Sequence, residues 1–398
     1  GQLRAEIRQK LGIGGSQMDD CITQAICPCC SACQEAREAK LVGAPVLDFC
    51  SGELMSIQDA NHTRAISSDA TLNQGSFMDH LWALSAASRV ILGMWLAIFF
   101  ILLVTLLAFG QGLNFALLVL IFAQPLIILY FVYWRYRRQY AALDYVVKLF
   151  AVGFFCAPFQ AIVLEVVLQA AIVIILSPFN GDQSRDQTDD EKRETMAAHF
   201  GTVVVSMLLM AFLVAAGVEE TIKHFVVRCC RFPSQIQSPH TVLVYLMTGA
   251  LGFATAENIS YVFSQAAEAA GEPKLEVFYS ELVVYVLRIL MPIHVICSVL
   301  QAANLSRVIA GMKVMNLFMI LLPAILLHGA FDFVLFLLGA IAFVYPDKAP
   351  LANLLMVVFV VTLTLGGTAA AVVMFNKVES DFNTITAQRQ MLDNTVET

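Results

Sequence analysis

The chain has 398 residues, 59% of them apolar and only 14% charged, with a formal net charge of −7. A soluble domain averages roughly 45–50% apolar and about 25% charged, so one buried core cannot absorb this excess and lipid must solvate part of it. The acidic balance excludes a nucleic-acid partner, which would call for a basic face.

Taken in chain order, residues 1–60 are a Cys-rich segment and residues 61–89 a polar linker. They hold no apolar run behind a basic start of the kind a secretory signal needs, so the first spanning helix is expected to act as the membrane signal. Apolar stretches long enough to cross a bilayer then recur. The first runs from about Val90 to Phe109, the second from Phe115 to Trp134, and the third from Leu149 to Leu176. An acidic segment, residues 179–199, separates these from a fourth stretch at Phe200–Val227. The fifth is Val242–Phe263, the sixth Ser280–Leu305, the seventh Val314–Val344 with Pro323 inside it, and the last Leu351–Phe375. A polar tail, residues 377–398, ends the chain. The predicted fold class is therefore all-α, a multi-pass transmembrane helical bundle of about eight spans. It divides into residues 90–178 and 200–376, with a Cys-rich N-terminal region ahead of both.

Lys and Arg orient the bundle. With both termini cytosolic, the inner segments take Arg135, Arg137, Arg138, Arg228, Arg231, Arg307, Lys313, Lys377 and Arg389. The outer ones keep only Arg185, Lys192, Arg193, Lys274 and Lys348. An even number of spans fits this asymmetry. The sequence does not name the organelle.

Polar side chains inside these spans carry the chemistry. The fourth span ends GVEETIKHF, with Glu219 and Glu220 adjacent and Lys223 one turn on, on the carboxylate face. A single carboxylate at the bilayer centre costs about 2.5–3.5 kcal/mol on insertion scales, and two neighbours also repel. Such a pair suits a general base or acid. The alternative is a snorkelling interfacial ion pair. The fifth span contributes Glu257 and Asn258; an Asn amide can donate to a developing oxyanion or make a structural interhelical hydrogen bond. The sixth carries His294 after Arg288 and Pro292, and the seventh carries His328 and Asp332 at i and i+4. A carboxylate at that spacing can orient the imidazole and set its tautomer. Together these groups suit either of two chemistries. They can activate water and protonate a leaving amine. Equally, His294, His328 and Glu220 can ligate Zn²⁺ and leave a position for water. On straight spans, Glu257 lies on the opposite side of the membrane from the Glu pair, by about 10–15 Å at 1.5 Å per residue.

The ordered motifs Glu-Glu-x-x-Lys (219–223), Phe-Ala-x-x-Glu-Asn (253–258), an Arg and His at 288 and 294, and His-x-x-x-Asp (328–332) resemble the PrsW family of intramembrane proteases. These are distant relatives of the CAAX prenyl endopeptidases. The resemblance implies hydrolysis of a membrane-protein substrate. Glu219 or Glu220 would activate water, and His294 and His328 would move protons or bind metal. Asn258 would hold the oxyanion, Asp332 would orient His328, and Lys223 would tune the Glu pair.

Ten cysteines occur, and Cys27, Cys29, Cys30 and Cys33 are bunched as soft ligands without clean C-x-x-C knuckles. A cytosolic cluster is reduced, which leaves metal binding, palmitoylation or a folded Cys-rich hairpin open. The run CPCCSACQEARE (27–38) resembles the later half of the small family named for placenta-specific protein eight and plant cadmium resistance.

Two other functional classes compete with a protease. One is a catalytically silent scaffold or subunit of a membrane complex. The other is a proton- or metal-linked transporter, against which the lack of a clear inverted repeat counts. A protease needs its Glu and His groups to converge beside a space for water and substrate. A transporter needs a path to both sides, and a scaffold tolerates a packed cluster.

Overall fold

A computed structural model describes residues 77–396 apart from 109–111, 138–142, 177–187, 230–237, 269–281, 283–287 and 289–290. The Cys27–Cys33 cluster lies outside the described residues. Those that are described form helices α1 (Phe77–Trp82), α2 (Ala86–Ala108), α3 (Gly112–Leu129), α4 (Leu143–Phe155) and α5 (Ala157–Leu176). These are followed by α6 (Asp189–Ala198), α7 (Phe200–Leu209), α8 (Gly217–Cys229) and α9 (Pro239–Glu268). The last three are α10 (Ile293–Ile309), α11 (Leu317–Val344) and α12 (Ala349–Val396). Seven segments among the described residues are long and apolar enough to cross a membrane. The chain is an integral, multi-pass, all-helical membrane protein.

Its radial order follows composition. Apolar residues of α2 such as Val90, Leu96, Ile101 and Val104 are exposed all round, as expected of a helix solvated by lipid. In α9, by contrast, 78% of the spanning stretch lies inside the protein, and this helix carries small residues such as Gly249, Gly252, Ala250 and Ala254. A Cβ on Gly252 would stand within contact range of the Phe150 carbonyl of α4, and one on Gly153 would meet the Gly249 carbonyl. Without a hydrophobic drive between helices in lipid, such close backbone approach supplies the packing. Trp95 of α2 sits among Phe122 of α3 and Phe154 of α4, at centroid distances of 5.1 and 4.5 Å, and ties the outer helices to this pair.

Three departures from regular α-helix bear on the site. First, the expected sixth span is interrupted at Met291 and Pro292. Its described helix, α10, has 17 residues and starts after non-helical Met291 and Pro292. At 1.5 Å per residue it is about 25 Å long, short of the ~30 Å hydrocarbon core. Proline at the N-cap explains the start: a residue before Pro avoids the α region. Second, residues Met210–Ala216, between α7 and α8, are wound as π-helix, with the Gly217 N–H donating to the Phe212 carbonyl. Third, Pro323 inside α11 has no N–H for the Met319 carbonyl four residues back. Asn304 of α10 donates its Nδ2 there at 3.3 Å, which satisfies that oxygen and locks α10 to α11.

The polar C-terminal tail is helical as far as Val396. α12 is 48 residues long and continues through residues 377–396, since no Gly or Pro follows Gly367 to stop it. Its extension packs under α9, where His240 Nε2 lies 3.0 Å from Glu379 Oε1. On the opposite loop, Thr188 caps α6 in a reciprocal box with Glu191. The Thr188 N–H and hydroxyl, both donating to Glu191, hold that exposed carboxyl below its ordinary value.

Candidate active site

Four helices deliver the site, and the sequence explains each delivery. The π-turn ahead of Gly217 changes the phase of α8 relative to α7, so that its first turn presents Glu219 and Glu220 to the interior. Cα–Cβ bonds in a helix tilt toward its N-terminus, so Lys223 folds back over the two carboxylates it follows. Gly329 makes room for the ring of Phe212, whose Cδ1 would lie 2.4 Å from a Cβ there. That fit seats α11 against the π-turn and brings its neighbour His328 to α8.

The geometry is dense. Lys223 Nζ donates to Glu219 Oε2 at 2.9 Å, to Glu220 Oε1 at 2.9 Å and to His294 Nδ1 at 2.6 Å. An ammonium only donates, so His294 Nδ1 accepts and its proton sits on Nε2, 2.6 Å from Glu257 Oε2. Glu257 is held from the other side by Arg288 at 3.1 Å. His328 Nδ1 lies 2.8 Å from Glu220 Oε1, and its Nε2 lies 3.3 Å from Asp332 Oδ2. The two imidazoles stand edge to face with centroids 5.1 Å apart. Glu220, at 0% exposure, accepts a third bond from Gln301 Nε2 at 2.7 Å.

Seven of the predicted residues therefore meet: Glu219, Glu220, Lys223, Glu257, His294, His328 and Asp332. The 10–15 Å separation expected of Glu257 is spanned by one imidazole, because α10 begins just after Pro292 and places His294 in its first turn, between the two carboxylate groups. Asn258 joins them at the edge, lining the same cavity and sharing Arg288 with Glu257. Its Nδ2 donates to Gln124 of α3 at 3.1 Å, and its Oδ1 accepts from Arg288 Nε at 2.5 Å. The amide thus forms a rim with Gln124 and Arg288 that lines the cavity, one of its two N–H donors engaged by Gln124. Sequence reasoning missed Gln124 and Gln301. Gln301 was legible, since it lies seven residues after His294, on the same helical face; Gln124 stands alone beside Pro125 and gave no pattern.

One side of the cluster is open. A cavity of about 330 Å³ is lined by Glu219, Glu257, His294, His328 and Asp332 on its polar wall. Leu335 and Phe336 of α11 and Met356, Val357 and Val360 of α12 form its apolar wall. Glu220 and Lys223 do not line it. Donor atoms of Glu219, Glu220, His294 and His328 lie within 4.8 Å of one another. Two carboxylates and two imidazoles are a donor set that suits a divalent transition metal, and four carboxylates facing only two permanent cations favour further positive charge. The buried cluster is thus chemically competent to hold a metal, with the Lys223 ammonium already against three of its four residues.

Comparisons with known proteins give the family. A family model described as PrsW family intramembrane metalloprotease matches residues 141–365, more than half of the chain. A second, the PLAC8 family, matches residues 1–38. Protease PrsW of Clostridioides difficile (strain 630) is 33% identical over 138 residues, 32% of this chain and 52% of that protein. Protease PrsW of Geobacillus kaustophilus (strain HTA426) is 30% identical over 139 residues, 33% of this chain and 55% of that protein. The chain thus spans about half the length of these relatives. No solved structure matches it. On the family match and the converged Glu–His cluster, the chain belongs to the PrsW family of intramembrane metalloproteases.

Proposed function

We propose that this protein is a membrane-embedded endopeptidase that hydrolyses a membrane-protein substrate with water activated by Glu219. One observation carries the reading: a carboxylate–imidazole cluster, otherwise intolerable in hydrocarbon, opens on one side into a cavity whose other wall is apolar. That arrangement offers water and a peptide bond a polar face, and the flanking side chains of a membrane segment a greasy one.

The two adjacent carboxylates divide the work. Glu219 lines the cavity and takes the proton from water as its oxygen adds to the scissile carbonyl carbon. Glu220, sealed behind it, positions Lys223 and His328. As the C–N bond breaks, His328, steadied by Glu220 and Asp332, supplies the proton to the leaving amine. Glu257 fixes the tautomer of His294. Asn258 lines the cavity and holds Arg288 through Oδ1, and the N–H that Gln124 does not take would donate to the oxyanion. As an alternative to His328 acting as proton donor, a divalent metal such as zinc would be held by His294, His328 and Glu220 and would supply Lewis-acid polarisation of the carbonyl, with Glu219 left as the base that passes its proton to the amine. The Lys and Arg distribution supports both termini being cytosolic.

The test is cleavage by the full chain in proteoliposomes of a panel of labelled single-span membrane peptides, with new N-termini identified by mass spectrometry. Wild type is expected to cleave, and Glu219→Gln and His328→Ala are not. Undiminished cleavage in both variants removes the reading. Absence of cleavage by wild type favours a silent scaffold, in which the same cluster serves only to hold the bundle.

A further inference from the structure

We propose that Lys223 is the resident cation of this site, and that its ammonium and a divalent metal exclude one another from the space between Glu219, Glu220 and His294. The inference deepens the reading above by naming what governs metal occupancy. It rests on that reading's donor set, not on cleavage.

The ammonium has three protons, and each has an acceptor: Glu219 Oε2, Glu220 Oε1 and His294 Nδ1, at 2.9, 2.9 and 2.6 Å. It is therefore saturated. Those acceptors belong to three of the four residues that form the cluster's candidate metal set. A zinc ion binds such atoms at about 2.0–2.2 Å, and charged N–H···O contacts run about 2.7–2.9 Å, so the two cations claim the same lone pairs from nearly the same point. The Lys223 side chain is 2% exposed, and its Nζ lies 4.4 Å from the ring centroid of Phe253. That face adds a cation–π contact and closes the site from α9. Two like charges at this range inside a low-dielectric bundle repel strongly. Hence Lys223 must withdraw before this donor set closes on a metal.

The surroundings fit a built cation site, not a fortuitous ion pair. Glu220 keeps its remaining oxygen on Gln301 at 2.7 Å, and His294 is held through Nε2 by Glu257 at 2.6 Å. The acceptors are thus fixed from behind and converge forward on Nζ. Removing the ammonium while leaving the acceptors creates an uncompensated pair of buried carboxylates, which a divalent ion would neutralise.

The experiment is metal titration of the full chain, purified in detergent and stripped with chelator. Co²⁺ is the probe, read by its ligand-field absorption and by competition with a chromophoric chelator. Lys223→Met is expected to bind one Co²⁺ per chain at least ~10-fold more tightly than wild type, with Zn²⁺ raising its melting temperature. Lys223→Arg, which keeps the charge, is expected to stay as weak as wild type. Equal affinity in wild type and Lys223→Met overturns the proposal. Should Lys223→Met fail to fold, wild type decides: a sub-micromolar one-to-one Co²⁺ site that Glu220→Gln abolishes overturns it, and the absence of such a site upholds it. Cleavage is scored separately on the same preparations. Unchanged affinity alongside retained cleavage sinks this inference and leaves the peptidase standing; altered affinity without any cleavage does the reverse.

Discussion

Two neighbouring glutamates in one helix turn have different duties, and substitution should separate them. Glu219 reaches the cavity and, when neutralised, gives up its 2.9 Å ion pair with Lys223 and longer contacts of 3.8 and 3.9 Å to His294 and His328. Glu219→Gln is expected to lower cleavage by about 10²-fold or more, the range typical of a lost general base, with a smaller drop in the thermal melt than Glu220→Gln. Glu220 has Lys223, His328 and Gln301 as partners at 0% exposure. Glu220→Gln breaks a buried charge network and should cost about 3–5 kcal/mol, read as a lowered melting temperature and poor yield in detergent. Activity lost in Glu220→Gln therefore says less about chemistry than activity lost in Glu219→Gln. A melt unchanged in Glu220→Gln would contradict the network described here.

At the scale of elements, two helix pairs hold the site in place. The α4–α9 pair depends on glycines: a Cβ on Gly252 would stand 2.3 Å from the Phe150 carbonyl. Since the obstacle is backbone, Gly252→Ala must separate the helices, at about 1–3 kcal/mol of overpacking, measured as a drop in melting temperature. The α10–α11 pair depends on the bond from Asn304 to the carbonyl that Pro323 leaves free. Asn304→Leu should cost about 1–3 kcal/mol, the price of a buried unsatisfied carbonyl. In a Pro323→Ala background the same change should cost less, because the restored N–H takes over that oxygen; a double-mutant cycle reads the difference. Additive losses would show that Asn304 holds α11 in some other way. Gly252 and Pro323 are visible in sequence as helix irregularities, but neither names its partner, because the partner is more than ten residues away and on another helix.

For the whole molecule, the prediction concerns topology. With α10 counted as the short crossing, the helices make an even number of passes and return the C-terminal extension of α12 to the side of the N-terminus. In sealed vesicles of a cysteine-free background, single cysteines at positions 5 and 390 should react with an impermeant reagent from the same side. Labelling from opposite sides would show that α10 does not complete a crossing. α12 also rises far beyond the bilayer: its 48 residues make about 72 Å of helix, more than twice the hydrocarbon thickness.

The amino-acid order alone determined that this chain lives in lipid, where its apolar stretches fall, and which polar residues are too costly there to be idle; these follow from composition and period, which are local properties. The family's motifs at 219–223, 253–258 and 328–332 were legible for the same reason. What the order could not decide was convergence. Straight helices put Glu257 far from Glu219, and only the break at Pro292 sets His294 between them. Nor could spacing distinguish the cavity-facing Glu219 from the sealed Glu220, show the Asn258 amide bonded to Gln124, or find Lys223 at the focus of the donors. Those facts depend on how helices from distant parts of the chain pack, and packing in a bundle is settled by close backbone approach and paired buried charges that no single segment contains.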